Sequence, residues 1–251
     1  MEIRQEWSCD NRVYRNAGNL PLLRSLPLDP PGRALDCGCG AGDNARALRA
    51  ARWQVTGITI SPDEAAHARQ SCESVYIANL EQGIPAAAAG PFDLILFSHV
   101  LEHLRDPRPA IHDARRLLTP SGVIAVALPN VLFWRQRLEF LLGRFHYEDA
   151  GIMDSTHLRF FTFVSGKQML ESYGLRVVRA TVDGGFPSRY LRRILPAWSA
   201  KLDRLAERLM PNLFGYESFY LCIPATNSDE ARSRQYSEIQ ASRATGTQRD
   251  R

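Results

Sequence analysis

The sequence has no apolar run approaching the roughly 20 residues that a membrane-spanning helix needs, so a soluble or peripheral protein is expected. The opening residues MEIRQEWSCDNRVYRN contain no apolar stretch, and no secretory leader is expected there. Cysteine is sparse. Cys9, Cys37, Cys39, Cys72 and Cys222 are odd in number and form no CxxC pair. That spacing offers no disulfide framework and points to reduced thiols in a cytoplasmic protein. There is no internal repeat and no large excess of one charge. The net charge is +4, whereas dedicated nucleic-acid binders concentrate basic residues on one face or arm. No nucleic-acid partner is expected.

What is present fits an ordinary globular protein. A chain of 251 residues with 45% apolar and 23% charged content can bury one sizeable core plus a small insertion. Residues 1–31 read as a helical lead-in, with Leu20, Leu22, Leu23 and Leu26 on one buried face. Residues 32–226 read as one domain. Residues 227–251 carry almost no large apolar side chain and read as a disordered tail. Inside the domain, short apolar runs at 33–37, 54–60, 75–78, 92–97 and 122–128 alternate with helical patterns at 43–51, after Ser61, and at 107–118. Ser61, Pro62 and Glu64 spell an N-cap, a first-turn proline and a capping-box partner. Thr119-Pro-Ser-Gly122 breaks the last helix. Two more strands are expected at 175–182 and 216–223, with a basic helical insertion at 188–210 between them. Such alternation builds an α/β fold, a doubly wound and mostly parallel sheet of seven strands with helices on both faces.

The strongest local signal is Leu35-Asp-Cys-Gly-Cys-Gly-Ala-Gly42, a strand entering a D-x-G-x-G-x-G turn before a helix. Glycine permits the tight turn and brings bare main-chain amides close to a ligand at the carboxyl end of the first strand. A dinucleotide site needs G-x-G-x-x-G with pyrophosphate at the helix start. Here the third glycine comes one residue early, which disfavours a nicotinamide oxidoreductase. A plain tight turn is the bland reading.

Four further segments stand in order behind the glycine turn: Val55-Thr-Gly-Ile-Thr-Ile-Ser61, Ile77-Ala-Asn-Leu-Glu81, Phe92-Asp-Leu-Ile-Leu-Phe-Ser-His-Val-Leu-Glu-His-Leu104, and Leu117-Leu-Thr-Pro-Ser-Gly122 leading to Leu128-Pro-Asn130. With them the chain, from about Tyr14 to Ile223, resembles the class I S-adenosylmethionine-dependent methyltransferases, in particular the small-molecule O-methyltransferases of the ubiquinone-biosynthesis type. The resemblance implies a Rossmann-like sheet with an antiparallel final strand, S-adenosyl-L-methionine as cofactor, and cofactor contacts from Asp36, Gly38, Cys39, Gly40, Gly42, Thr59, Ile60, Asn79, Leu80, Ser98 and His99. Two positions depart from the family. Its second strand usually ends in an acid that accepts both ribose hydroxyls, and here Thr59 stands there. Asn79 replaces an Asp that accepts from the adenine amino group; as a bland alternative it is a turn former. The segment 143–164 resembles the D-x-x-H-L-R-F-F-T loop of one subgroup, at Asp154–Thr162, and is expected to form an active-site loop.

Methyl transfer is an in-line displacement, so the protein must align the reactants, exclude water and remove a proton from a hydroxyl acceptor. The proton-acceptor candidates are His157, His103, His99 and His146, with His157 and His103 as the catalytic pair. For His157 the structural alternative is a ring that holds Asp154 or a backbone carbonyl. Arg159 reads as a clamp for an anionic acceptor or as an ion-pair partner of Asp154. His99-Val-Leu-Glu-His103 also spells the H-x-x-E-H of one zinc peptidase family, which would need the motif well inside a helix. No metal is expected as a zinc catalyst, although the resemblance associates acidic and histidine residues here with a divalent ion. The expected reaction is methylation of an oxygen, or secondarily a nitrogen, of a small, lipid-linked or sugar-linked acceptor. The segment 188–210 is a lid, a contact to an anionic membrane, or an ordinary packed helix. The rivals are an RNA methyltransferase, for which Ser98-His-Val-Leu101 lacks both the Asn/Asp-Pro-Pro-aromatic segment and a cysteine nucleophile, and a non-catalytic Rossmann-like binding protein.

Overall fold

The computed structural model describes residues 18–185, 193–194 and 196–225. Residues 1–17 of the lead-in, Ser188–Arg192 and Leu195 of the insertion, residue 226 and the 227–251 tail lie outside the described residues. Seven strands are seen: β1 (Arg33–Cys37), β2 (Gln54–Thr59), β3 (Ser74–Ile77), β4 (Phe92–Ser98), β5 (Leu118–Pro129), β6 (Leu175–Gly184) and β7 (Gly215–Pro224). They form one sheet in the order β3-β2-β1-β4-β5-β7-β6. β1 pairs in parallel with both β2 and β4, and β7 runs antiparallel to both β5 and β6. Strand order therefore reverses between β1 and β4. In open α/β sheets the crevice at the carboxyl ends of the strands on either side of such a reversal is where ligands bind.

Period-2 alternation splits the core into two layers. Leu94 and Leu96 of β4, with Ala125 and Ala127 of β5, pack beneath α1 (Leu20–Arg24), α2 (Asp43–Ala50) and Trp53. Ile95 and Phe97 of β4, with Ile124, Val126 and Leu128 of β5, face α4 (Arg108–Arg116) and α6 (Phe163–Ser172). Each large side chain buried this way adds roughly 1.5–3 kcal/mol. α3 (Pro62–Ala68) follows β2 as the Ser61-Pro62 signal predicts.

Several expectations are corrected. Among its described residues the lead-in forms the short α1, in which Leu22 and Leu23 are buried while Leu20 is exposed. The Thr119–Gly122 break is taken into β5, which starts at Leu118 opposite Phe92. Two helices in segments with no helical reading appear, α5 (Trp134–Leu141) and α6. α5 has no capping side chain and buries none of its residues, so it lacks both a start signal and a core-facing stripe. α6 has a capping box built from Thr162 and Ser165, where the usual signature has Glu or Gln at the second position. The insertion contains α7 (Pro196–Leu209), followed by the single turn α8 (Pro211–Phe214).

A polar knot ties the lead-in to the sheet. The Asn19 amide donates to Glu217 of β7 at 2.9 Å. His99, just after β4, reaches Glu217 through Nε2 at 3.1 Å and Glu102 through Nδ1 at 3.2 Å. His99 holds a left-handed backbone with φ of 56°. Burial alone would lower its pKa, but the hydrogen bonds and charges of Glu102 and Glu217 outweigh it and raise the ring to about 10. The side chain is 34% exposed, so solvent screens part of this coupling. A histidine raised in the folded state contributes stability that is full below its free pKa of about 6.5 and is lost as pH climbs through the folded value. Thermal melting should therefore show a midpoint that falls between pH 7 and 10. His99→Asn, which tolerates the left-handed backbone, should flatten that slope. Equal slopes in both proteins would remove His99 from the account.

Candidate active site

The glycine turn sits at the strand-order reversal. Gly38 has φ of 76°, and a Cβ there would lie 2.4 Å from Val100 Cγ2. Gly42 has φ of 88°, with its Cβ position 3.0 Å from Ala68 Cα. Both positions exclude a side chain by conformation and by space. The amides of Gly38 and Cys39 both donate to the Ile58 carbonyl at 2.8 Å, and the Gly42 amide donates to Cys39 at 2.9 Å. The bare main-chain donors expected of this turn are therefore not these three amides, which are engaged within the protein. Gly40 and Ala41 form the half-exposed rim.

Asp36 lies beneath the turn, wholly buried, and neither carboxyl oxygen has a hydrogen-bond partner in the protein. Burial pushes its pKa up to about 7, partly offset by the nearby Asn44 amide. An orphaned buried carboxyl under a ligand crevice is answered by a cationic group, which suits the ammonium and sulfonium of S-adenosylmethionine. At the ends of β2 and β3, Ile60 and Ile77 are each 50% exposed, an apolar surface that fits an adenine ring. Asn79 caps the 3-10 turn Leu80–Gln82, its Oδ1 accepting from the Glu81 amide at 2.9 Å. Leu80 and Cys39 point their side chains into the core, so any ligand contact from either is a main-chain one. Ser98 ends β4 half-buried at the crevice.

Thr59 is buried and engaged. Its hydroxyl donates to Glu64 Oε2 at 2.5 Å and accepts from the Ser61 amide at 3.3 Å. Of the expected capping box only the Ser61 half forms, its hydroxyl accepting from the Glu64 amide.

Opposite the glycine turn, the 3-10 turn Leu101–His103 meets the loop of residues 143–162. The Glu102 carbonyl accepts the amides of Leu158 and Arg159. His103 Nδ1 lies 3.3 Å from the Thr156 carbonyl and 3.1 Å from Thr156 Oγ1, and that hydroxyl donates to the buried Asp154 at 2.6 Å. A carbonyl only accepts, so His103 carries its proton on Nδ1 and its lone pair on Nε2. His157 behaves alike: Nδ1 donates to the Ile152 carbonyl at 3.1 Å, and its ring packs edge-on against His103 at 4.8 Å. Burial lowers the His157 pKa, only partly opposed by the charge of Glu102. His157 thus holds a backbone carbonyl rather than Asp154. The Arg159 guanidinium lies on the carbonyls of Leu104 and Arg105 instead of on Asp154. His146 is exposed.

The H-x-x-E-H residues do not share a helical face. His99 is in a left-handed turn and His103 ends a 3-10 turn, so the zinc-peptidase arrangement is absent among the described residues. Ligand atoms of Glu102, His103 and His157 do lie within 4.8 Å of one another, a spacing that could hold one divalent ion. The sequence reading missed Glu64, Thr156 and Glu217 as site residues. It also missed Asn130 as a buried brace, whose amide reaches the carbonyls of Gly215 and Asn212 at 2.7 and 3.1 Å.

Comparison with known proteins agrees with this geometry. A family model described as a methyltransferase domain matches residues 11–180. The chain is 36% identical over 114 residues to the trans-aconitate 2-methyltransferase of Azoarcus sp. (strain BH72), covering 43% of this chain and 44% of that protein. It is 34% identical over 103 residues to the ubiquinone biosynthesis O-methyltransferase of Caulobacter sp. (strain K31), covering 39% and 41%. The matched region thus spans less than half the length of these curated relatives. A SAM-dependent methyltransferase from Archaeoglobus fulgidus shares the fold, with a TM-score of 0.56, 20% identity, and coverage of 82% of this chain and 91% of that one. The family match covers most of the chain and coincides with the glycine turn, the sheet reversal and the orphaned Asp36, and on these grounds the chain belongs to the class I S-adenosylmethionine-dependent methyltransferases.

Proposed function

We propose that this protein methylates an oxygen of a small acceptor and that His103 takes the acceptor's proton. The bound cofactor supplies an activated methyl group. Asp36 would offer its buried carboxyl to the cofactor's cationic end, the Gly40–Ala41 rim would border the amino-acid tail, and Ile60 and Asn79 would flank the adenine. The observation that carries the reading is the His103–Thr156–Asp154 chain. A fixed tautomer with Nε2 unprotonated, backed through a hydroxyl by a buried carboxylate, is what a general base for a hydroxyl acceptor requires. A carboxylate acceptor would already be ionised and need no such base. His157, first among the sequence candidates, is more enclosed, with a side chain 5% exposed, and serves to orient His103. The O-methyltransferase name of one relative also favours oxygen over nitrogen.

A lipid-linked acceptor met at a membrane surface is a second reading, favoured by α7. That helix buries the small Ser199 and Ala206, half-buries Leu202, and leaves three large apolar residues outward. Trp198, Leu205 and Leu209 are 66%, 53% and 69% exposed. They recur at helical spacing on one face beside the exposed Lys201, Arg204 and Arg208, whereas Glu207 is half-buried against the Gly184 amide. An apolar stripe with a basic flank suits an anionic bilayer surface better than packing against its own domain. No helix among the described residues is long and apolar enough to cross a membrane.

Two outcomes are expected. In an S-adenosylhomocysteine-release assay over phenols, alcohols, carboxylic acids and amines, turnover should appear with hydroxyl acceptors. His103→Gln should then lower kcat by about 10²–10⁴-fold with unchanged S-adenosylhomocysteine affinity, and His157→Gln should cost less. Full turnover in the His103 variant across pH would sink the base assignment. In vesicle co-sedimentation the protein should pellet with phosphatidylglycerol vesicles and not with pure phosphatidylcholine. Trp198→Glu with Leu205→Glu should abolish pelleting without altering cofactor affinity. Equal pelleting by that variant would end the membrane reading.

A further inference from the structure

The family's strand-end acid, which accepts the ribose hydroxyls, is missing from β2, where Thr59 stands. A threonine there cannot replace it in this fold. Its hydroxyl proton is donated to Glu64 and one of its lone pairs accepts the Ser61 amide. The side chain is therefore committed to its neighbours and carries no charge.

The negative charge has not left the place; it arrives from the next element. Glu64 sits in α3, five residues on, and its Oε2 lies 2.5 Å from Thr59 Oγ1. The carboxylate of an acid at position 59 would begin where Thr59 Oγ1 now is. The Glu64 carboxylate thus stands within one short, charge-assisted hydrogen bond of it. Glu64 is buried, at 6% exposure, while Ile60 beside Thr59 is half-exposed and opens the end of β2 to the crevice. The carboxylate is also close to the glycine turn. The Cys39 thiol pKa is raised first by its hydrogen bond to Cys72 and by burial, then by the charges of Asp36, Cys72 and Glu64.

We propose that Glu64, steered by the Thr59 hydroxyl, is the residue that accepts the ribose hydroxyls of the adenosyl group. This rests on the S-adenosylmethionine reading of the site and adds a binding residue that neither the strand-end position nor the glycine motif supplies. Thr59 becomes a positioning residue that holds the carboxylate toward the crevice. A carboxylate delivered from a helix has a longer arm than one on the strand. Ribose recognition in this chain therefore depends on the Thr59–Glu64 bond as well as on the acid itself.

The test is calorimetry with S-adenosylhomocysteine and with its 2′-deoxy analogue, on the full chain. A hydrogen bond to a charged acceptor makes the wild type prefer the ribose form on the order of 10-fold to 100-fold. Glu64→Gln should weaken S-adenosylhomocysteine binding and bring that preference close to unity. Adding Thr59→Asp to Glu64→Gln should restore it, because the acid then sits on the strand. The preference is a ratio measured within one preparation, so partial misfolding of a variant does not alter it. An unchanged preference in Glu64→Gln overturns the proposal while leaving cofactor binding intact. No heat from S-adenosylhomocysteine with the wild type would overturn the cofactor reading and this proposal together.

Discussion

The site depends on one acceptor, the carbonyl of Ile58. It takes the amides of Gly38 and Cys39 at the same distance, 2.8 Å, and so clamps the turn leaving β1 onto the end of β2. The clamp folds the chain back sharply enough that position 38 cannot bear a side chain against Val100. That closure sets the floor of the crevice and seals Asp36 below it without a hydrogen-bond partner. It also fixes the end of β2, and with it Thr59, relative to the turn. Loosening this one carbonyl would disconnect the glycine turn from the end of β2.

Across the crevice, Glu102 plays a comparable part with its charge. Its main-chain carbonyl receives the loop amides of Leu158 and Arg159, and its carboxylate faces His99 at 3.2 Å and His157 at 4.0 Å. The net shifts of the two histidines are nevertheless opposite. His99 has a second carboxylate in Glu217 and is held charged, whereas His157, enclosed and beside another imidazole, is pushed toward the neutral form. Glu102 favours the charged form of both rings, and what separates them is the second acid, Glu217, on His99 and the burial of His157. Environments that drive like groups apart in pKa are how a single fold assigns them different work.

The sequence made the sheet legible wherever burial imposes a pattern. Phe92–Phe97 and Gly122–Leu128 read as strands because burial on both faces leaves unbroken apolar runs. The glycine turn is legible because its backbone admits few residue types. α5 was not legible, since it has neither cap nor buried stripe. The site was legible as a set of segments and much less as contacts. His99 and Glu217 are 118 residues apart, and no local pattern announces such a pair. Thr59 and Glu64 are close in sequence, but each has a sufficient local explanation, as a β-branched strand residue and as a capping partner. Only the fold shows that they answer each other.

The sheet order has a consequence for biosynthesis. β7 follows β5 and β6 in sequence yet lies between them, so an interior strand of the sheet leaves the ribosome after both of its neighbours. Until Gly215–Pro224 emerges, β5 shows an open edge and β6 has no neighbour, and unpaired edges of this kind invite association with other chains. The nascent protein must keep two strands waiting for a keystone, and its yield in the cell is exposed to whatever delays the synthesis of that strand.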